Sequence, residues 1–319
     1  MKKIIAIVLI LALVLSLSAC STSSTVTYTS VWGKSDVLET STYKISIVES
    51  EEVFFEGAPS VTGEGTYVYT ISGGDSEGYT LETTLDFVGE LNFDGKTEDF
   101  TQTITSKVLF AGITNNLAPT YSEKSYEGTT IVYDGETGTF SSADLDYVSK
   151  ITYDDGTATV SITNANGGAV SAGIATESEY SYSSNVYDNE QLFLVARSLN
   201  KSSALSTSFN IVNAVTGLTP IALTVSTVDE DTDSSYTTTI NGASQTFETF
   251  TVSTQINSSF ESGTTTLMLF ASGDDGYVTT SAGNTMEVDR SRLLTFMHQV
   301  PYTSSVFYYE LTDYTSNVD

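Results

Sequence analysis

A few short constellations in this sequence carry residue types that could do chemistry. Gly74-Asp75-Ser76-Glu77-Gly78 spells G-x-S-x-G, the string of a nucleophile elbow, in which a serine sits on a sharp strand-to-helix turn. Here it lies between two alternating apolar stretches, 67–71 and 81–87. The turn therefore joins strand to strand, and a polar hairpin loop is the better reading. The one histidine, His298, follows Leu293, Leu294, Phe296 and Met297 and reads as a partly buried structural residue. No serine or cysteine presents itself as its partner in a triad. One histidine and one cysteine do not make a zinc site. Asp229, Asp231 and Asp233 open like a calcium loop, but the glycine at the sixth position and the closing glutamate are missing. Asp154-Asp155-Gly156 and Asp274-Asp275-Gly276 are hairpin turns first. A carboxylate pair placed for glycoside hydrolysis stays open as a reading, because 40 acidic residues are spread along the chain. The expectation is a protein without catalytic residues, metal ligands or cofactor.

Cys20 has the most specific surroundings. Lys2 and Lys3 form a positive start, residues 4–15 are an unbroken apolar run, and Leu17-Ser18-Ala19-Cys20 follows. The run is short for a transmembrane span and has the shape of a signal-peptide core. Leu17-Ser18-Ala19-Cys20 resembles the lipobox of bacterial lipoproteins. The resemblance implies cleavage before Cys20 and diacylglyceryl attachment to its sulfur. The alternative is an ordinary secretory signal whose small-residue site happens to precede a cysteine. Cys20 is the only cysteine in the chain, so it has no internal disulfide partner, and lipidation explains it better than redox chemistry. Residues 1–19 are then a leader, 20–36 a lipidated Ser/Thr-rich tether, and the mature protein is held on a membrane by its lipid rather than spanning it.

The rest of the 319 residues, 37–319, reads as one β domain. Hydrophobic residues make up 39% of the chain, enough for a packed core. A net charge of −28, from 40 acidic and 12 basic residues, argues against nucleic acid or an anionic membrane face as partner, since both need a basic surface. Tyr43, Ile45 and Ile47 alternate, as do Tyr67, Tyr69 and Ile71, then Leu81, Thr83, Leu85 and Phe87. Such period-2 patterning marks antiparallel strands with one dry face. Asp94-Gly95, Asp134-Gly135, Asp155-Gly156, Asn241-Gly242 and Asp275-Gly276 are hairpin dipeptides. Alternation resumes at Ile221, Leu223 and Val225 and continues through Phe250, Val252, Thr254 and Ile256 to a closing strand at 306–311.

One helix interrupts this pattern. Residues 187–201 place Leu192, Val195, Ala196 and Leu199 on one face. Asp188 with Gln191 makes a capping box, and Asn200 is a left-handed stop. Hairpins, one embedded helix and more hairpins, with no linker and no fixed repeat, predict an all-β fold: a strongly curved antiparallel sheet or unclosed half-barrel wrapped around the helix.

That order, with Trp32-Gly33 ahead of the first strand and the segment D-x-x-x-L-F-L-V-A-R-S-L at 188–199, resembles the lipoprotein-localisation-factor superfamily and uncharacterised envelope proteins of the same fold. The resemblance implies an incomplete barrel whose concave side binds acyl chains or another apolar ligand. Inward-facing Tyr69, Leu85 and Phe87, with Arg197 at the helix edge, are the expected ligand contacts. Arg197 has two readings, an anchor for a ligand headgroup or a structural ion pair. Three functions follow: a lipid-anchored protein binding an apolar ligand in a modest cavity, a structural or adhesive envelope module, and a carboxylate hydrolase.

Overall fold

The alternating segments form one long antiparallel meander. In the structure, a computed structural model, the described residues are 4–7, 37–50, 59–74, 77–112, 115–134, 137, 139–165, 176–182, 186–198, 206–212, 221–227, 235–256, 265–271, 277–279, 285–287, 294–300 and 305–317. A short strand β1 (Ile4–Ile7) precedes β2 (Val37–Glu49), β3 (Ser60–Gly74), β4 (Gly78–Phe93), β5 (Lys96–Phe110), β6 (Pro119–Asp134), β7 (Thr139–Asp154), β8 (Thr157–Asn164) and β9 (Glu177–Ser181). From β2 to β9 each strand pairs with the next. Asp94-Gly95, Asp155-Gly156 and Asn241-Gly242 all have positive φ at both residues. That is the type I′ geometry, whose twist matches the flanking strands.

The second half begins with β10 (Val186–Asp188), a 3₁₀ turn (Asn189–Gln191) and α1 (Leu192–Ser198). Strands β11 (Ser206–Val212), β12 (Ile221–Thr227), β13 (Ser235–Ile240), β14 (Ala243–Ile256), β15 (Thr265–Ala271), β16 (Tyr277–Thr279), β17 (Thr285–Glu287), β18 (Leu294–Val300) and β19 (Ser305–Ser316) follow. The last strand, β19, runs back along β2, from Ser305↔Glu49 to Ser316↔Glu39. This seam joins the two halves into a single sheet running from β9 through β2 and β19 to β11 and β10. Only β16 and β17 form a separate pair among the described strands, and β1 lies antiparallel against Ile131 to Asp134 of β6.

In the order of this sheet β9 stands at one end, and at the other β10 is followed by β1; β9 and β10 are consecutive in the chain, yet no pairing joins them among the described residues. The sheet curls and stays open. Glycines let the long strands bend. Gly63 faces Gly89 across β3 and β4, and a Cβ on Gly89 would run into the Thr62 carbonyl. On β6, Gly128 takes φ +129°, beyond which β5 and β6 part company. Bends at glycine are a general device for curving a sheet. Among the described residues the fold is therefore all-β with one short helix, mainly antiparallel and not closed into a barrel, as the patterning predicts.

The helix differs from expectation in two ways. Tyr187 and Asp188 belong to β10, held parallel to Ile211 and Val212 of β11, so the helical turn starts at Asn189. Leu199, Asn200 and Lys201 lie outside the described residues. The capping box is present: the Glu190 N–H donates to Asp188 Oδ1 (3.0 Å), and the Asp188 N–H donates to Gln191 Oε1 (3.1 Å). The helix is also buried on nearly every side. Phe193, Leu194, Val195, Ala196 and Arg197 are all buried, and Leu192 is half-buried. A helix apolar on one side suits a flat sheet, whereas one enclosed by a curled sheet must be buried all round.

Candidate functional site

Strand register stacks the inward side chains into rows on the concave face. One row reads Ser41, Tyr69, Thr83, Ser106, Lys124, Ser149 across β2 to β7, a polar belt level with the helix. The adjacent row is Tyr67, Leu85, Ile104, Tyr126, Tyr147. Against this second row the C-terminal half contributes Thr266, Met268, Met297 and Tyr309, and the helical segment contributes Asn189, Glu190, Leu192 and Phe193. These groups do not fill the space between them. A cavity of about 80 Å³ remains. Its walls are mainly aliphatic, thioether and aromatic.

Two buried ionic clusters fix the helical segment above this cavity. At its far end the Arg197 guanidinium donates to both oxygens of Glu39, Nη1 to Oε1 at 2.7 Å and Nη2 to Oε2 at 2.8 Å. The Tyr69 hydroxyl also donates to Glu39 Oε1 (2.9 Å) and the Tyr314 hydroxyl to Oε2 (3.4 Å). Burial favours the neutral form of Arg197, but the charge and hydrogen bonds of Glu39 outweigh it, so the guanidinium holds its proton more tightly than usual. The pair bolts the end of α1 to β2.

The second cluster sits at the start of the helical segment. Lys124 Nζ lies 3.0 Å from Asp188 Oδ1 and 3.4 Å from Glu190 Oε1. Tyr153 donates its hydroxyl to Asp188 Oδ2 (3.0 Å), and Thr83 donates to Glu190 Oε2 (3.4 Å). Gln191 Nε2 donates to the Leu117 carbonyl (3.0 Å). Burial works against the charge on Lys124, while the two carboxylates restore it and raise its pKa overall. Charge does not balance here: one ammonium meets two carboxylates. Asp188 is fully buried, whereas the Glu190 side chain is 15% exposed and lines the cavity. The surplus negative charge therefore falls at the cavity wall.

Three phenols share that wall. Tyr67 and Tyr309 meet edge to face, with centroids 5.8 Å apart and planes at 87°. Tyr126 stacks on Tyr147 at 4.5 Å. Burial raises the phenol pKa of Tyr67, Tyr126 and Tyr309, and the Glu190 charge pushes each in the same direction. Glu190 thus acts electrostatically on all three rings.

Of the four residues expected to contact a ligand, Leu85 lines the cavity. The other three are in the packed wall. Tyr69 lies against Phe193 (4.7 Å) with its hydroxyl on Glu39. Phe87 stacks on Phe100 (5.0 Å) and meets Phe307 edge-on (6.3 Å). Arg197 adopts the structural ion-pair reading, because its guanidinium is engaged by Glu39 and no part of it faces the cavity. Sequence reasoning missed Glu39, Lys124 and Glu190. The signal existed for two of them: Glu39 is in phase with Tyr43, Ile45 and Ile47 on the dry face of β2, and Lys124 is in phase with Tyr126 on β6. A charge at an inward position of an alternating strand is a buried partner in waiting.

Cys20, Ser76 and the Asp229, Asp231, Asp233 triplet lie outside the described residues, as does the side chain of His298. Among the described residues no group of three or more His, Cys, Asp or Glu is placed to hold a metal ion.

Fold and site together define an unclosed antiparallel β-barrel with a buried helical plug and a small cavity beside the start of that plug. A solved structure shares the fold: a beta-barrel-like protein of domain of unknown function DUF1849 from Brucella abortus, with a TM-score of 0.50, covering 88% of this chain and 97% of that one at 12% identity. At that identity the likeness is one of fold alone. No family model matches the chain, and no curated protein matches it.

Proposed function

We propose that this protein is a lipid-anchored binding protein of a bacterial envelope, which holds a small apolar or amphiphilic ligand in the cavity of its unclosed barrel. The cavity carries this reading: Leu85, Ile104, Leu192, Phe193, Met268 and Met297 surround space that the helix leaves unfilled. Methionine adapts its shape to varied apolar ligands. At about 80 Å³ the cavity suits a short ligand or the tip of an acyl chain rather than several full chains. The anchor is the lipid on Cys20, supported by the leader and lipobox-like stretch at 1–20, and the kinship with lipoprotein-localisation factors is part of the same proposal. The reading is one of binding without turnover. Asp188 and Glu190 share Lys124, and Asp188 is fully buried, so the two carboxylates are not presented together to a substrate. The dense packing of the remaining concave face, with Tyr69 on Phe193 and Arg197 on Glu39, favours a structural envelope module as the second reading.

The test is native mass spectrometry of the Cys20→Ala protein purified from cells without detergent, beside the same protein carrying Ile104→Phe. A small amphiphile bound in near-stoichiometric amount, and lost from the Ile104→Phe protein, is the expected outcome. A folded protein with no bound ligand and no saturable uptake of any apolar compound moves the preference to the structural module.

A further inference from the structure

The cavity has a polar pole of one sign. Glu190 is the carboxylate left over when Lys124 is matched with its nearer partner Asp188, at 3.0 Å against 3.4 Å. Among the described residues no lysine or arginine lines the cavity. Beside Glu190 stand Tyr67, Tyr126 and Tyr309, and the right-angled contact of Tyr67 with Tyr309 makes a corner of ring surface. A carboxylate among aromatic rings in a mainly apolar site is the arrangement that recognises an ammonium group: the carboxylate supplies countercharge and the rings supply their negative faces. An anionic head would meet the Glu190 carboxylate, whose one cationic neighbour, Lys124, is already shared with Asp188, so the same pole disfavours carboxylates. The chain's net charge of −28 also draws cations toward the surface.

Resting on the cavity reading above, we propose that the ligand is an alkylammonium compound. Its cationic head sits against Glu190 and the rings of Tyr67, Tyr126 and Tyr309, and its short apolar body lies along Leu85, Ile104, Met268 and Met297. Glu190 then has two partners at once, Lys124 on the sheet side and the ligand head on the cavity side. The head cancels the charge that the protein leaves uncompensated. Binding forms no covalent bond.

The test uses the full chain carrying Cys20→Ser, with the methionine methyl groups observed by NMR. Met268 and Met297 line the cavity and report on it. Pentylammonium, pentanol and pentanoate are titrated in turn. The expected result is saturable shifts at Met268 and Met297 with all but pentanoate, and an affinity for pentylammonium about tenfold or more above pentanol, the usual worth of a hydrogen bond to a charged group. Glu190→Gln should bring pentylammonium down to the level of pentanol measured on the same variant. Equal binding of pentylammonium and pentanol, or preference for pentanoate, overturns the ammonium assignment while the apolar cavity stands. Failure of all three to bind overturns both. The comparison of the three heads on the parent protein decides the matter even where the Glu190 variant does not fold.

Discussion

Replacing Arg197 with methionine tests how the helix is held. The substitution keeps an unbranched apolar stem and removes the guanidinium that donates to Glu39 at 2.7 and 2.8 Å. Both side chains are completely buried, so the carboxylate cannot turn to water once its partner is gone. Removing one member of such a pair costs about 3–5 kcal/mol, because the remaining charge keeps its desolvation penalty and loses its attraction. For a domain of this size each kcal/mol moves the thermal midpoint by about 2–4 °C. Arg197→Met should then lower the midpoint by roughly 6–20 °C in a far-ultraviolet circular dichroism melt. The double variant Glu39→Met, Arg197→Met should recover most of that loss, since it leaves no buried charge behind. An unshifted midpoint in the single variant would refute the reasoning, as would a double variant as unstable as the sum of its two singles.

Other outcomes follow from the same contacts. Burial raises the phenols of Tyr43, Tyr67, Tyr69, Tyr126, Tyr147, Tyr153 and Tyr309 above their ordinary value of 10.0. Above that pH the unfolded chain releases these protons and the folded one keeps them, so each phenol costs stability at about 1.4 kcal/mol per pH unit as the pH climbs. Cooperative alkaline unfolding is expected, with the tyrosinate absorbance of this group rising in the same step as the loss of circular dichroism; complete phenol ionisation near pH 10 with the fold intact would count against it. Phe193→Ala should cost about 3–5 kcal/mol in denaturant titration, as Phe193 is 6% exposed and packed on Tyr69. A loss below about 1 kcal/mol would show that the helix is peripheral. Cys20→Ala should shift the protein from the membrane fraction to the soluble one, and unchanged retention would refute the lipid anchor.

Local patterns in the sequence translated directly into structure. The alternation of Tyr43, Ile45 and Ile47 became the dry face of β2, and Asp94-Gly95, Asp155-Gly156 and Asn241-Gly242 became type I′ turns. The Asp188 and Gln191 capping box formed as well. These features depend on residues a few positions apart. What stayed hidden depends on distant ones. The seam between β2 and β19 joins residues more than 250 positions apart, and no short-range pattern announces such a pairing. The enclosure of α1 follows from that seam and the glycine bends, so a helix that looks one-sided in sequence is surrounded in space. The role of Arg197 was fixed by Glu39, 158 positions away. The candidate site was legible only in part for the same reason: Leu85 shows its inward phase within β4, but the surplus charge at Glu190 appears only when β6 brings Lys124 to Asp188.

The proposed binding function requires a ligand-accessible apolar cavity between the curled sheet and its helical plug. A crystal of the protein pressurised with xenon tests it most directly, since xenon settles in apolar cavities of this kind. One ordered xenon site is expected, bounded by Leu85, Ile104, Phe193 and Met268 and lost in the Ile104→Phe protein. A well-ordered crystal in which those side chains close against one another, with no xenon between them, would contradict it.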